Sequence, residues 1–350
     1  MVVQNGAEGL WSDGDEWTVE EQFRIGGMNA PEEEAFELFL IGLSVGPQGS
    51  LYVLDNVRSQ ISVFSSDGDF RFRFAGQGGG PGEFDRAAAM GWDSEGRLWV
   101  SDALESRIAV FDSLGTVLRT ALNPGRRPVN RILYSLHMEP GGTWIDQLSD
   151  SPLLYFVRRD TAATIIDTVA ALRYPPRPEG GPLEARLRSD EENRALARML
   201  PSFLWTIGPD GTIWEGLTNQ GSFAARGASG DTVRIIQTAH RSPTLSEADQ
   251  QAADLIRDIV SEIPILPQRY QALYAMDDGH LLAQVPGEDQ ALGRTLDVFD
   301  PEGRFLGPLE LPFAPHPRAE HVFRGDTIYA VTLDALDVPQ IVKAVIQRRP

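Results

Sequence analysis

The chain has 350 residues, with 31 basic and 50 acidic side chains and a formal net charge of −19. This excess of acidic residues excludes nucleic acid as a partner, because phosphate binding requires clustered Lys and Arg. The absence of cysteine excludes disulfides, thiol nucleophiles and thiolate metal sites. The apolar runs are shorter than the roughly 18 residues that a membrane-spanning helix needs, so we predict no transmembrane segment.

The N-terminal segment predicts a β-strand at residues 17–25 and does not decide the cellular compartment. The chain begins Met1-Val2-Val3-Gln4 and then becomes acidic, without the basic and apolar regions of a secretory signal. A chain whose leader had been removed would begin in the same way. Residues 17–25 alternate in polarity and are predicted to form a strand.

A repeat dominates the rest of the sequence. Short runs of alternating β-branched and aromatic residues, as at 51–55, 60–64 and 70–75, are separated by Asp-Gly or similar turns, a pattern typical of antiparallel strands. A further strand precedes the turn glycine of each repeat, which recurs at steps of 47, 46, 69, 68 and 46 residues. These glycines are Gly49, Gly96, Gly142, Gly211, Gly279 and Gly325.

Six such units of four strands predict an all-β protein, a single-domain six-bladed β-propeller. The last unit is one strand short, and we expect the strand at residues 17–25 to complete it and close the ring, which would remove two open sheet edges. The N-terminal segment with this strand spans residues 1–35. The predicted blades span residues 36–75, 86–122, 131–172, 202–239, 270–312 and 320–347.

The two long steps of the repeat predict helical insertions at residues 175–201 and 243–264. The first starts with a proline-rich stretch and continues with helix-forming residues. The second has Ser246 as a helix N-cap. An apolar stripe at helical spacing follows it, formed by Leu255, Ile256, Ile259, Val260 and Ile263. Both insertions are expected on one face of the disc, where they either bury apolar loop surface or form a lid over a pocket.

The first two repeat units carry a recognisable motif. Residues 74–84 read Phe-Ala-Gly-Gln-Gly-Gly-Gly-Pro-Gly-Glu-Phe and follow strand patterns at 51–55 and 61–64. Over about residues 47–122 the sequence resembles the NHL-type repeat of bacterial six-bladed β-propellers. Because many such relatives are exported, the resemblance implies an extracytoplasmic protein, periplasmic or envelope-associated, whose leader is absent from this chain; a cytoplasmic location is the alternative. It implies no single function, since such propellers include enzymes and binding modules.

Three arginines are the candidate ligand-binding residues. Arg86, Arg131 and Arg269 fall near equivalent positions at the start of the inner strands of blades two, three and five. Side chains at these positions approach the central axis, where convergent guanidinium groups would bind an anion. Trp205 is a candidate ligand platform near the same face. The alternative is that the arginines pair with nearby acidic residues such as Asp85.

Neither catalytic nor metal chemistry has a complete signal in the sequence. Ser44 lies in a Gly-Leu-Ser-Val-Gly pattern, but a nucleophile elbow needs a helix after its strand, and a strand follows here; no catalytic residue is assigned. Five residues near the predicted axis are candidate metal ligands. They are Glu37, Asn130, Glu320, His137 and His321.

The candidate metal ligands resemble two known kinds of axial site incompletely. A resemblance to gluconolactonase-like propellers would imply an axial calcium held by Glu37, Asn130 and Glu320. A three-histidine zinc site like that of amidating-lyase propellers would lack a third ligand beside His137 and His321. We therefore predict no cofactor, with an axial calcium as the alternative.

The predicted function is a non-enzymatic binding or protein-interaction propeller outside the cytoplasm. It would use the helix-bearing face and the axial arginines for a small anionic ligand or a protein partner. One alternative is a metal-assisted, lactonase-like hydrolase or lyase with its metal under the lid, which requires at least three oxygen or imidazole ligands on the axis. The other alternative is a scaffold subunit peripheral to a membrane complex, which requires an exposed apolar patch on the side or bottom of the disc.

Overall fold

The structure is a computed structural model, and it forms two compact units. The residues that it describes are 1–36, 41–102, 107–122, 136–150, 153–173, 192, 199–239, 246–257, 266–288, 292–316, 319 and 321–348. The first unit comprises Met1–Thr18, Arg173–Pro312 and Arg348–Pro350. The second unit comprises Val19–Leu172 and Phe313–Gln347.

The described elements are almost all β-strands. The N-terminal segment contains β1 (Val2–Asn5), β2 (Thr18–Gly26) and a 3-10 turn at Glu32–Glu34. Blade 1 contains β3 (Ile41–Val45), β4 (Leu51–Asp55), β5 (Gln60–Phe64) and β6 (Phe70–Ala75). Blade 2 contains β7 (Ala87–Trp92), β8 (Leu98–Asp102), β9 (Arg107–Phe111) and β10 (Val117–Leu122). Blade 3 contains β11 (His137–Met138), β12 (Trp144–Asp150), β13 (Leu153–Arg159) and β14 (Ile165–Arg173).

The second half of the chain continues the series. Blade 4 contains β15 (Phe203–Ile207), β16 (Ile213–Leu217), β17 (Ser222–Arg226) and β18 (Thr232–Thr238). A helix, α1 (Glu247–Ile256), follows it in sequence. Blade 5 contains β19 (Ala272–Ala275), β20 (Leu281–Gln284), β21 (Thr295–Phe299) and β22 (Phe305–Glu310). Blade 6 contains β23 (Val322–Arg324), β24 (Thr327–Leu333) and β25 (Pro339–Gln347).

Strands that are consecutive in sequence are neighbours within each sheet, and the fold is an all-β six-bladed propeller with four-stranded blades, as the repeat predicted. The six turn glycines confirm the register of the repeat, because each has a positive φ, between +55° and +88°. That backbone conformation disfavours residues with a Cβ atom and suits the tight hairpin between the first two strands of a blade.

Of the two N-terminal strands, the sequence predicted β2 but not β1. The strand predicted at residues 17–25 is β2, which is hydrogen-bonded to β25 in the sheet of blade 6. Its role in closing the ring stays a prediction. The strand β1 was not predicted; it pairs in parallel with β18 and gives blade 4 a fifth strand.

One of the two predicted helical insertions is described in part. Ser246 caps α1 as predicted, and Asp249 completes a capping box with it. Of the predicted apolar stripe, Ile256 is buried and Leu255 is exposed, whereas Ile259, Val260 and Ile263 lie outside the described residues. Most of residues 175–201 also lie outside them, so the first insertion and the shared face of the two insertions stay predictions.

The core is built from blades that bury both of their faces. All five residues of β4 are buried. Within the second unit, Leu51 and Val53 pack with residues of blade 6, and Tyr52 and Leu54 pack with residues of blade 2. Within the first unit, blades 4 and 5 share a similar cluster that includes Phe223 and Phe299. Alternate residues of a central strand therefore enter two different apolar layers.

Aspartates stabilise the hairpins. In five hairpins a carboxylate oxygen accepts two main-chain N–H groups from the residues two and four positions later, which satisfies donors that the turn would otherwise leave unpaired. Hydrogen bonds from the N–H groups of Val338, Leu336 and Met28 lower the pKa of Asp334. The five residues are Asp93, Asp112, Asp160, Asp300 and Asp334.

In the first unit, the N-terminal segment also joins blade 5 to the C-terminal end of the chain. The ring of Trp17 lies 5.0 Å from the His280 ring, and the Arg348 guanidinium lies over the Trp17 ring at 4.2 Å. Asp278 accepts hydrogen bonds from Arg348, at 2.5 Å, and from His280 Nδ1, at 2.8 Å. Residues far apart in sequence are therefore held together by one carboxylate and one indole ring.

Replacing Asp102 tests how much a buried carboxylate contributes to the free energy of unfolding. Asp102 is fully buried, accepts hydrogen bonds from the N–H groups of Asp85 and Arg86, and pairs with Arg107. Replacing Asp102→Asn leaves these donors poorly matched, so we expect the free energy of unfolding in urea to fall by about 3 kcal/mol. Asp67→Asn, at an exposed hairpin turn, should change it by less than about 0.5 kcal/mol. Equal effects of the two substitutions would contradict this role.

Candidate functional site

The loop end of blades 4 and 5, within the first unit, is organised around one buried threonine. Thr218 follows β16, and its N–H group donates to the carbonyl of Ser202 at 2.9 Å, while its Oγ1 accepts the Ser202 N–H at 3.0 Å. Its carbonyl accepts the N–H groups of Arg269, at 2.6 Å, and Tyr270, at 3.1 Å. The starts of β15 and β19 are thus fixed to the same residue, and the backbone of Arg269 has a defined position.

The side chain of Arg269 lies over a glycine. A Cβ atom on Gly221 would fall 2.5 Å from Arg269 Nη1, and 2.7 and 2.8 Å from the carbonyl oxygen and Oγ1 of Thr238. The Thr238 main-chain carbonyl requires glycine at position 221, and the missing side chain also leaves room for the guanidinium group of the half-buried Arg269. The sequence identified Arg269 as a candidate, and the structure shows what holds it in place.

Tyr270, the residue after Arg269, forms a buried polar pair with Asp297. The hydroxyl group of Tyr270 donates to Asp297 Oδ2 at 3.0 Å and lies 3.4 Å from Thr238 Oγ1. Tyr270 and Asp297 are both fully buried, and the Tyr270 ring meets Phe223 edge to face at 5.0 Å. Because a ligand in solvent cannot reach these groups, they support the residues at the surface of the loop end.

A second buried network fixes the neighbouring loop of blade 5. Gln271 Oε1 accepts the N–H group of Gly293 at 3.1 Å, and Gln284 Nε2 donates to the Gly293 carbonyl at 2.9 Å. Burial raises the pKa of the Tyr274 hydroxyl, which stays protonated and donates to Gln284 Oε1 at 2.7 Å. Nothing in the sequence pattern predicted these glutamines, because the residues that they bind come from a loop nine or more positions away.

Trp205 lies within β15, away from the loop end. It is half-buried in the middle of β15 and faces Glu215 across the sheet, and the carboxylate of Glu215 binds the Arg226 guanidinium at 2.6 and 2.7 Å. Three residues of extended strand separate Trp205 from Ser202, about 10 Å at roughly 3.3 Å per residue. The structure therefore places Trp205 in the same unit as Arg269 but deeper along the blade.

The other candidate arginines are distributed differently. Arg86 is exposed in the second unit, and its main-chain N–H group donates to Asp102 at 3.3 Å. Arg131 lies outside the described residues. Because Arg86 and Arg269 belong to separate units, the predicted convergence of the three arginines on an axis stays a prediction.

Of the five candidate metal ligands, the structure describes two. Glu37, Asn130 and Glu320 lie outside the described residues. His137 is half-buried on β11. Burial would raise the pKa of the nearby Glu139 carboxyl, but hydrogen bonds from Arg158 and Thr143 lower it, and His137 adds only the smallest contribution. Among the side chains that the structure describes, no group of three or more His, Asp or Glu residues is arranged to hold a metal ion.

His321 is held by two main-chain groups. Its Nδ1 accepts the N–H group of Val331 at 3.1 Å, which requires that Nε2 carry the proton, and Nε2 donates to the His316 carbonyl at 2.9 Å. Burial lowers the pKa of His321 to about 3, because the imidazolium form would lose hydration there. The ring in this state is a neutral bridge between β24 and the loop before β23.

Comparisons with known proteins support the fold. A family model described as a 6-bladed beta-propeller, DUF5128, matches residues 42–123, which span blades 1 and 2. This region contains the residues that resemble NHL-type repeats, and the match supports the propeller without confirming that repeat type. No curated protein matches the chain in sequence. None of the helices in the described part of the chain could cross a membrane.

Solved structures give the same result. A member of the DUF4221 family from Bacteroides vulgatus has a TM-score of 0.53 at 12% identity, covering 95% of this chain and 98% of that chain. A Bacteroides fragilis protein, described as a candidate exported protein, has a TM-score of 0.53 at 12% identity, with 100% of both chains covered. Virginiamycin B lyase from Staphylococcus aureus has a TM-score of 0.47 at 13% identity, covering 94% and 99%. At 12% identity, the likeness to the two structures with a TM-score of 0.53 concerns the fold alone.

The neutral state of His321 predicts how stability depends on pH. Its pKa in the folded protein, about 3, is below its ordinary value of 6.5, so the unfolded chain binds a proton as the pH falls below 6.5 and the folded chain does not. The stability is therefore complete above pH 6.5 and is lost as the pH falls toward 3. Between pH 7 and pH 5 the free energy of unfolding should fall by about 2 kcal/mol more in the natural chain than in His321→Gln.

Urea unfolding of both proteins at the two pH values measures this difference. The carboxylates titrate alike in the two proteins, so the difference isolates the histidine. Parallel losses in the two chains would contradict a neutral, buried His321.

Proposed function

We propose that this protein is a non-enzymatic binding propeller that takes a small anion, through its carboxylate or phosphate oxygens, at Arg269 on the loop end of blades 4 and 5. The observation that carries the proposal is the position of the Arg269 guanidinium over Gly221. A guanidinium group is a planar fork of five donors that matches carboxylate and phosphate oxygens. Its charge does not depend on pH in the physiological range.

The surroundings of Arg269 support a preorganised site. The main chain of Arg269 is fixed by the Thr218 carbonyl, and the side chain is half-buried rather than extended into solvent. Holding a donor in place before a ligand arrives lowers the entropy cost of binding. The net charge of −19 disfavours anions at most of the surface, so a cationic group at the loop end would be a local attractive site.

Two further features complete the proposal. Trp205 would offer an aromatic surface to the apolar part of a ligand, as predicted from the sequence. The function is placed outside the cytoplasm, which rests on the resemblance of residues 47–122 to propellers that are exported. A protein partner that presents an acidic group would use the same arginine.

Titration calorimetry of the intact chain with citrate and with inorganic phosphate tests the site. Arg269→Gln removes the charge and the guanidinium fork but keeps a polar side chain, so the dissociation constant of the anion that binds should rise by about tenfold to a hundredfold. Arg269→Lys keeps the charge without the fork and should bind with intermediate affinity.

The matched control is Arg257→Gln. Arg257 is an exposed residue at the end of α1 that pairs with Asp254, so its replacement should leave the dissociation constant unchanged. The proposal is wrong if neither anion binds the natural chain, or if Arg269→Gln binds as tightly as the Arg257 variant.

A further inference from the structure

The outer strands of the blades differ in how their free edges are covered. In the first unit the N-terminal segment covers two of them: β1 pairs along β18, and the N–H groups of Leu10 and Trp11 donate to the carbonyls of Phe305 and Leu306 at the start of β22. Asn5 links the two places, because its side chain binds Gly303 and Phe305. Covered edges cannot recruit another strand.

The outer strand of blade 3 has no such cover among the described residues. β14 is the last strand of its sheet and is nine residues long, the sequence Ile-Ile-Asp-Thr-Val-Ala-Ala-Leu-Arg without proline, glycine or lysine. Ile165 is 42% exposed and Ile166 is 53% exposed. A long edge strand that exposes two isoleucines and has no proline, glycine or lysine is the kind that pairs with another strand.

We propose that β14 pairs with β14 of a second copy of this chain, antiparallel and across a two-fold axis, so that two blades form one eight-stranded sheet. An isologous interface needs a surface that complements itself, and the sequence of β14 has this property. When the strand pairs over its whole length about Val169, Ile166 of one copy lies opposite Leu172 of the other. Ile165 then lies opposite the aliphatic part of Arg173.

The charges of β14 favour the same arrangement. Asp167 and Arg173 are separated by six residues, an even number, so they lie on the same face of the strand. In the antiparallel pair each Asp167 lies diagonally across from Arg173 of the other copy, within reach of a long side chain. The Asp167 side chain is 52% exposed beside Arg158, which leaves carboxylate surface for a second partner. Two such pairs would form, one on each side of the axis.

Sedimentation velocity of the intact chain between about 1 and 100 μM tests the interface. We expect a species of twice the monomer mass that increases with concentration. Asp167→Arg and Arg173→Asp each place like charges across the axis, so each should weaken dimerisation about tenfold. The double variant, with both charges reversed, restores opposite charges and should dimerise as the natural chain does. Ile166→Lys, a charge on the edge itself, should give a monomer.

The matched control is Arg71→Asp, a charge reversal at an exposed position on the outer strand β6 of blade 1; it should leave the dimer unchanged. Circular dichroism identifies any variant that does not fold, and the remaining single variant and the double variant then decide the result. A natural chain that stays monomeric at the highest concentration would overturn the proposal. So would a double variant that dimerises no better than the single variants.

Discussion

The structure depends on the burial of both faces of each blade. A sheet in a sandwich buries one face and leaves the other to solvent, but β4 and β8 are buried along their whole length. Such strands have no solvent-facing side on which polar residues could alternate. Many polar groups therefore lie at strand ends, as Asp55 and Asp102 do at the ends of β4 and β8, and Asp297 inside β21 is buried with the Tyr270 hydroxyl as its partner.

The same constraint gives the acidic residues and the arginines mainly structural roles. Aspartates close the hairpins by accepting main-chain N–H groups, so part of the net negative charge reflects the number of turns and not the nature of a partner. Arginines bind main-chain carbonyls in return. The guanidinium of Arg107 donates to the carbonyls of Gly78, Gly79 and Glu83 and so holds the glycine-rich turn between blades 1 and 2. The groups around an arginine therefore decide whether its role in this fold is structural or is to bind a ligand.

The two proposed surfaces use different parts of a blade. Arg269 lies at a loop end, where main-chain groups of two neighbouring blades meet and a side chain can be fixed without belonging to the apolar layers. β14 lies at the rim, where the hydrogen-bonding groups of one strand edge face outward. A ligand at the first and a second copy at the second would not compete for the same residues. This separation follows from the geometry of a blade, whose ends and outer edge point in different directions.

The sequence by itself determined the number of blades, the turn glycines, the strand that joins blade 6 and the cap of α1, because each of these depends on local backbone geometry or on alternation within a few residues. It also proposed Arg269 and Trp205 as candidate binding residues, a prediction that stays open, but it did not show that Thr218 and Gly221 surround the arginine. It did not predict β1, since four residues without a strong pattern pair with a strand more than two hundred positions away. The neutral bridge at His321 was likewise decided by the tertiary structure. The role of a polar side chain depends on which main-chain groups the fold brings beside it, and those groups are distant in sequence.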